Sequence, residues 1–141
     1  MNETPAQPNI GRSVLCIVAG FIAVIVLSFG TDYLLHLIAG FPKLGEVYTD
    51  KQFLGAAIYR TLYGVVGSYV TAAVAPRYPM KHALIGGAIG FALNLLATVA
   101  TWNHIPSLGP HWYPVALLIG TFPTAWLGAQ LYIWKTGALT S

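Results

Sequence analysis

Asp32 and His36 stand four residues apart at the end of the first long apolar run of the sequence. On a helix, this spacing puts a carboxylate and an imidazole on one face. Ionisable side chains inside a bilayer are costly, and they usually pair or serve a function. Arg60 interrupts the second apolar run and is the natural partner of Asp32. Two interpretations stay open: an ion pair that fixes helix register, or a gated site where Arg60 binds an anion or Asp32 carries a proton or cation.

Histidines offer a second kind of chemistry. His36, His104 and His111 could gather with Asp32 at one membrane surface, and imidazole and carboxylate are ligands for zinc, copper or iron. Their spacing matches no recognised motif, so these three histidines are only metal candidates, and haem between two of them is a further alternative. Otherwise they bond to water, tryptophan or backbone at the interface. We predict no cofactor. Trp112 belongs either to an interfacial aromatic belt or to a stacking site.

The composition is that of a membrane protein. Of the 141 residues, 56% are hydrophobic and 8% are charged, whereas about 25% are charged in a typical soluble domain. The net charge of +3 does not indicate nucleic-acid binding, because the basic residues sit beside apolar runs and form no patch. Cys16 is the single cysteine, which excludes an intrachain disulfide and a cysteine-based metal cluster.

Four apolar runs predict an all-α fold, an integral membrane bundle of four transmembrane helices at about 13–40, 53–75, 81–102 and 113–134. Each run has about 20 residues or more, enough to cross a hydrocarbon core of about 30 Å. Backbone groups in lipid must bond within their own helix, and the runs show no strand-like alternation. We therefore expect one transmembrane domain over residues 13–135, a flexible cytoplasmic tail over 1–12 and a short tail over 136–141.

Basic residues indicate the orientation. If the helices alternate in direction, four of them share one side of the membrane: Arg12, Arg77, Lys81 and Lys135. The other side holds Lys43 and Lys51, which Glu46 and Asp50 offset in charge. By the positive-inside rule, both termini face the cytoplasm.

The helix rise of about 1.5 Å per residue places the polar side chains in depth. Asp32 lies about 30 Å from Arg12, Arg60 about 25 Å from Arg77, and Asn94 about 20 Å from Lys81. Most polar side chains therefore converge toward the outer leaflet, where we predict an outward-facing pocket. Its candidate binding residues are Asp32, His36, Arg60, Tyr63, Asn94, His104, His111 and Trp112.

The chain resembles a group of small bacterial integral membrane proteins of uncharacterised activity. The resemblance is carried by Thr31-Asp32 with His36, by Phe41-Pro42, by Tyr59-Arg60-Thr61 with Tyr63-Gly64, by residues 100–103 and by residues 109–114. It implies a four-helix fold in a bacterial cytoplasmic (inner) membrane, and it implies no chemistry.

These observations lead to one functional hypothesis and two alternatives. The first is a protein that binds or transports a small polar or ionic solute, with Asp32 as charge carrier and Arg60 as partner and gate. The alternatives are a non-catalytic accessory or scaffold subunit of a larger membrane complex, and a histidine-dependent metal or redox protein. No catalytic motif is recognisable, so no enzymatic activity is assigned. The predicted partners are the lipid bilayer, further copies of the chain or a larger complex, and no nucleic acid.

Overall fold

The computed structural model describes residues 9–42, 48–104 and 109–137, and within them the chain is all-α. Four α-helices follow one another, with a short 3₁₀ turn at Trp102–His104 after the third. They are α1 (Ile10–Ala39), α2 (Asp50–Val74), α3 (Pro79–Thr101) and α4 (Trp112–Thr136). The predicted all-α class is confirmed, with no strand among these residues.

Local sequence explains where the helices begin and end. α1 starts at Ile10, so its first turn overlaps the tail expected over residues 1–12, of which residues 1–8 lie outside the described chain. α2 starts before residue 53 because Thr49 and Gln52 form a capping box. α3 starts with Pro79, whose fixed φ suits the first helical position. α1 ends at Gly40, which adopts the left-handed conformation that glycine tolerates.

The packing of the helices makes α2 the centre of the bundle. α1 contacts α2 and α3 contacts α4, as expected for neighbours joined by short loops, but the most extensive contact is between α2 and α4. Phe53 packs on Tyr113 near the starts of α2 and α4, and Tyr69 packs on Tyr132 near their ends. These two helices are therefore parallel. α1 and α3 also run parallel, with few contacts between them.

Three of the helices are long and apolar enough to cross a membrane: α1, α3 with the 3₁₀ turn, and α4. The sequence predicts four such helices, but α2 does not meet this criterion of length and apolarity. The reason lies in its composition. α2 opens with Asp50, Lys51 and Gln52, carries Arg60 in its middle, and is rich in Tyr, Thr, Ser and Gly.

Large and small apolar residues are distributed as in a protein that is surrounded by lipid. The most buried positions hold small side chains, namely Cys16, Ala56, Ala72, Ala83, Ala125 and Ala129. Large apolar side chains point outward along the helices, among them Ile22, Leu34, Leu96, Ile119 and Trp134. Small residues between helices and large ones outside are typical of membrane bundles, because helices there associate through close packing rather than through the hydrophobic effect.

Candidate functional site

A buried ion pair joins α1 to α2. The carboxylate of Asp32 accepts a hydrogen bond from the Arg60 guanidinium, with 2.7 Å between Nη2 and Oδ2. Its other oxygen accepts a hydrogen bond from the phenol of Tyr59. The Asp32 side chain is only 4% exposed and that of Arg60 is 33% exposed. The pair predicted from charge and depth is thus formed by direct contact, which lowers the cost of burying either charge.

Two tyrosines on α2 surround this pair. The Tyr63 hydroxyl lies 2.5 Å from the Thr31 hydroxyl, which adds a second polar link between α1 and α2 next to Asp32. The Tyr59 and Tyr63 rings lie side by side, with 5.7 Å between their centroids. Asp32 and Tyr63 therefore both act at the α1–α2 contact.

Aromatic rings cover the pair at the end of the bundle where α1 ends and α2 begins, called here the His36 end. Phe41 packs on Tyr48, Tyr48 on Phe53 and Phe53 on Tyr113, with centroid separations of 5.8, 5.5 and 5.0 Å. Burial, and then the nearby Asp32 carboxylate, raise the pKa of the Tyr48 phenol above its usual value. Tyr48 is therefore a neutral member of this aromatic cover at physiological pH.

One nitrogen of the Arg60 guanidinium is buried without a partner in the part of the chain that the structure describes. Its Nε atom is buried and has no hydrogen-bond partner among the described residues. Buried N–H groups of this kind are uncommon in folded proteins, and each calls for an explanation such as a bound molecule or strain. Arg60 also lies close enough to Tyr113 on α4 to interact with it electrostatically. It thus reaches toward the centre of the bundle from α2.

A cavity of about 340 Å³ lies in the centre of the bundle, directly beside Arg60. All four helices line it, α1 over residues 17–28, α2 over 60–71, α3 over 83–94 and α4 over 117–125. Arg60 and Asn94 mark its end nearest the His36 end, and much of the remaining wall is glycine, alanine, serine and threonine. Its volume lies within the range of about 300–1,000 Å³ that is usual for ligand pockets.

Three threonine hydroxyls in the wall of the cavity are already used as hydrogen-bond donors. Thr71, Thr121 and Thr124 donate their hydroxyl hydrogens to carbonyls of their own helices. These threonines therefore present only an accepting oxygen to the cavity. The side chains that can donate at the end of the cavity near the His36 end are Arg60, Asn94 and Ser28.

The eight residues predicted as a single pocket are thus divided among three places. Arg60 and Asn94 line the cavity, and Asp32 and Tyr63 hold α1 against α2 next to it. The other four lie at the His36 end, outside the lining of the cavity: His36, His104, His111 and Trp112.

The histidines do not gather into a metal site among residues 9–42, 48–104 and 109–137, where no three His, Cys, Asp or Glu side chains come together. His36 instead places its Nδ1 atom 2.7 Å from the carbonyl of Phe41, just past the end of α1. His111 packs its ring edge-on against Trp102 at 4.4 Å. Trp112 is 40% exposed and packs on Tyr113. Local backbone and ring contacts thus determine where His36 and His111 lie.

Two features of the structure were missed by reasoning from sequence. Tyr59 is not among the residues predicted for the site, although its phenol donates a hydrogen bond to Asp32, and its position next to Arg60 was the available signal. At the opposite end of the bundle, His82 of α3 places Nε2 2.9 Å from the Ser13 hydroxyl of α1. No charge or spacing in the sequence pointed to this second contact.

Comparisons with protein-family models, with curated proteins and with solved structures find no match.

Proposed function

We propose that this chain is a multi-pass protein of the bacterial cytoplasmic membrane, with all four helices in the bilayer and both termini in the cytoplasm. We include α2 because its outward face is apolar. Leu54, Ile58, Leu62 and Val66 recur every fourth residue, and each is between 41% and 58% exposed. The polar side chains that lower the hydropathy of α2, such as Arg60, face the other helices. An apolar outer stripe suits contact with lipid.

The proposed orientation rests on the basic residues. Arg12 is at the start of α1, Arg77 and Lys81 flank the turn between α2 and α3, and Lys135 is in the last turn of α4. All of them belong to one end of the bundle, opposite the His36 end. Lys51 stands at the His36 end beside Asp50. Under the positive-inside rule, the end richer in Lys and Arg is cytoplasmic.

In this orientation, the protein binds or transports a small polar or ionic solute in the central cavity. The observation that carries this proposal is the cavity of about 340 Å³ with the polar side chains of Arg60 and Asn94 in its wall. Asp32 serves as the counter-charge that holds the guanidinium in place, with Tyr59 fixing the carboxylate in turn. A positioned donor in an otherwise apolar cavity is the usual arrangement of a small-molecule site.

The second candidate is a non-catalytic subunit of a larger membrane complex or of a homo-oligomer. The observation that favours it is the direct contact between Asp32 and Arg60, which is what a pair that only fixes helix register requires. In that case the cavity is a packing defect, and solutes do not stabilise the protein.

Substitution of Gly120 distinguishes the two candidates. Gly120 lines the cavity, and an added Cβ there meets open space, so Gly120→Leu fills the cavity without a clash at its first atom. Gly30→Leu is the matched control, because Gly30 is exposed, outside the cavity lining and equally open. The measurement is the unfolding temperature in lipid nanodiscs against a panel of small carboxylates, amides, ketones and ammonium compounds.

We expect at least one class of solute to raise the unfolding temperature of the wild type and of Gly30→Leu but not of Gly120→Leu. A solute at 100 times its dissociation constant stabilises the folded state by about 2.7 kcal/mol. If no class stabilises the wild type, or if Gly120→Leu responds equally, solute binding in the cavity is refuted and the accessory-subunit candidate is favoured.

A further inference from the structure

The cavity has one thinly covered side, between α1 and α3. An added Cβ on Gly86 would lie 3.8 Å from the Ile17 side chain, and one on Gly90 would lie 3.5 Å from the ring of Phe21. Ile17 and Phe21 therefore lie over a glycine face of α3, and both also line the cavity. Nearer the cytoplasmic end, the contact between His82 and Ser13 ties the two helices together.

Beyond Gly90, toward the His36 end, this side is no longer covered. The face of α3 that carries Gly86 and Gly90 continues through Leu93, Asn94 and Ala97, at helical spacings of three and four residues. Leu93 is 57% exposed and Ala97 is exposed, whereas Asn94 lines the cavity. The cavity thus meets the outer surface of the bundle beside Asn94. Because the surrounding medium there is lipid, molecules dissolved in the bilayer have the shortest route to it.

The charges at this end of the cavity favour a neutral molecule. The positive charge of Arg60 is matched by Asp32 at 2.7 Å, so an added anion would face the Asp32 carboxylate as well as the guanidinium. The donors that remain at this end of the cavity are the guanidinium N–H groups of Arg60 that do not bond Asp32, the amide of Asn94 and the hydroxyl of Ser28. A carbonyl oxygen accepts such hydrogen bonds without bringing a charge into the membrane.

The rest of the wall suits an apolar body. Glycines from all four helices line the cavity, Gly20, Gly67, Gly87 and Gly120 among them. The threonines bond their hydrogens to their own helices, which reduces the polarity that they present. The lining on α1 extends from Ile17 to Ser28, which corresponds to about 16 Å along the helix.

We propose that the cavity takes a small neutral amphiphile that carries a carbonyl group and reaches the site from the bilayer between α1 and α3. Its carbonyl oxygen lies at the Arg60–Asn94 end of the cavity, where it accepts hydrogen bonds from the Asn94 amide and from the guanidinium N–H groups of Arg60 that do not bond Asp32, and its apolar part lies along the glycine-lined wall. This assignment rests on the proposed function and names the class of solute. It makes Asp32 a positioning residue, which neutralises Arg60 and holds its guanidinium at this end of the cavity.

Infrared spectroscopy of the protein in lipid nanodiscs tests this assignment. The probe is 2-nonanone, and the difference between spectra recorded with unlabelled and with isotope-labelled carbonyl isolates its stretching band from those of the lipid esters and the protein. A ketone in the bilayer bonds at most to interfacial water and does not saturate, so a carbonyl bound beside Arg60 is recognised by a lower-frequency band that saturates and depends on the cavity. Equally labelled nonanoate is the anionic comparison. The proteins are the wild type, Gly120→Leu, the control Gly30→Leu, and Arg60→Lys, which keeps the charge beside Asp32 and removes the guanidinium.

We expect a saturable band of hydrogen-bonded ketone in the wild type and in Gly30→Leu, weakened about tenfold or more in Gly120→Leu. The band should be absent or shifted in Arg60→Lys. The unfolding temperature of each variant, measured without probe, shows whether it is folded.

Each of the other results overturns the assignment. If nonanoate binds saturably in a Gly120-dependent way and the ketone does not, the neutral carbonyl class is wrong, while solute binding in the cavity stands. If neither probe binds, the assignment fails, and the solute panel described above decides separately on the proposed function. A ketone band that is unchanged in Gly120→Leu also contradicts it, because the ketone would then lie outside the cavity.

Discussion

The two pairs of parallel helices in this bundle are packed in different ways. Where α4 crosses α2, a Cβ on Gly128 would lie 2.7 Å from the Cβ of Ser68 and 2.8 Å from the backbone nitrogen of Tyr69. Where α3 passes α1, glycines face the side chains of Ile17 and Phe21, and an added Cβ would make only ordinary contact. The α2–α4 contact is thus closed at the backbone, whereas the α1–α3 side is covered only by side chains.

This difference explains how a small bundle can contain a cavity. α2 is held to α4 by small residues and to α1 by the Asp32–Arg60 pair, and a Cβ on Gly67 would lie 2.9 Å from the carbonyl oxygen of Gly20. With α1 and α4 both drawn tightly to α2, α1 and α3 are left further apart. The cavity is the space that remains on that side.

The largest expected effect comes from breaking the polar link between α1 and α2. Asp32→Asn leaves the partly buried Arg60 charge without its partner, and breaking a buried pair in this way destabilises a protein by about 3–5 kcal/mol. The measurement is the free energy of unfolding in bicelles or nanodiscs. The control Asp50→Asn removes an exposed carboxylate at the start of α2 and should cost less than about 1 kcal/mol.

The double variant Asp32→Arg with Arg60→Asp sharpens this prediction. If it recovers stability but not solute binding, the pair both fixes helix register and positions Arg60 for the cavity. A loss in Asp32→Asn no greater than in Asp50→Asn would show that α1 is held by apolar contacts alone, contrary to the account.

The next effect distinguishes closed from open positions on a single helix. Gly128→Ala forces a methyl group against the backbone of α2, and overpacking of this kind costs about 1–3 kcal/mol. Gly120→Ala has open space and should stabilise α4 by up to about 1 kcal/mol, because alanine favours the helix more than glycine does. The two variants are compared by free energy of unfolding under identical conditions. Equal effects of the same sign would mean that α2 and α4 are not in backbone contact.

The smallest effect compares two adjacent glycines of α3. A Cβ on Gly87 would lie 2.8 Å from the Cβ of Ala125 on α4, whereas one on Gly86 would lie 3.8 Å from the nearest Ile17 atom. Gly87→Ala should therefore lower the unfolding temperature. The expected loss in free energy of unfolding is about 1 kcal/mol, because the new methyl group would crowd only the methyl group of Ala125. Gly86→Ala should leave the unfolding temperature unchanged or raise it. Greater destabilisation by Gly86→Ala would indicate that α1 packs more tightly on α3 than the structure shows.

The sequence was sufficient to predict the helices and the ion pair. Apolar runs of adequate length predict helices because lipid leaves the backbone few alternatives, and Asp32 and Arg60 pair because opposite charges at similar depth on adjacent helices stabilise each other. The apolarity of α2 was overestimated, because a helix surrounded by others can carry polar groups that lipid would not tolerate.

The cavity could not be predicted in the same way. Its existence depends on how closely Gly128 approaches α2 and how far α3 stays from α1, which are tertiary distances that residue types alone do not determine. His36 was expected in a shared pocket, but it bonds to the carbonyl of Phe41, a local contact that competes with any longer-range partner. The position of a residue along its helix therefore predicted its depth in the membrane, but not the direction of its side chain.

The contrast between the closed α2–α4 contact and the open α1–α3 side is tested most directly by measuring how accessible the glycines are to oxygen dissolved in the bilayer. In wild-type protein labelled at glycine and placed in nanodiscs, oxygen speeds the nuclear relaxation of Hα atoms that it can reach. Gly120 and Gly128 lie at equal distances from the middle of α4, about 6 Å along the axis on either side, so depth affects them alike. The account predicts that Gly120 relaxes nearly as fast as the lipid-facing Gly30, while Gly128 is protected. If Gly120 is as protected as Gly128, the cavity is closed to the bilayer and the account is contradicted.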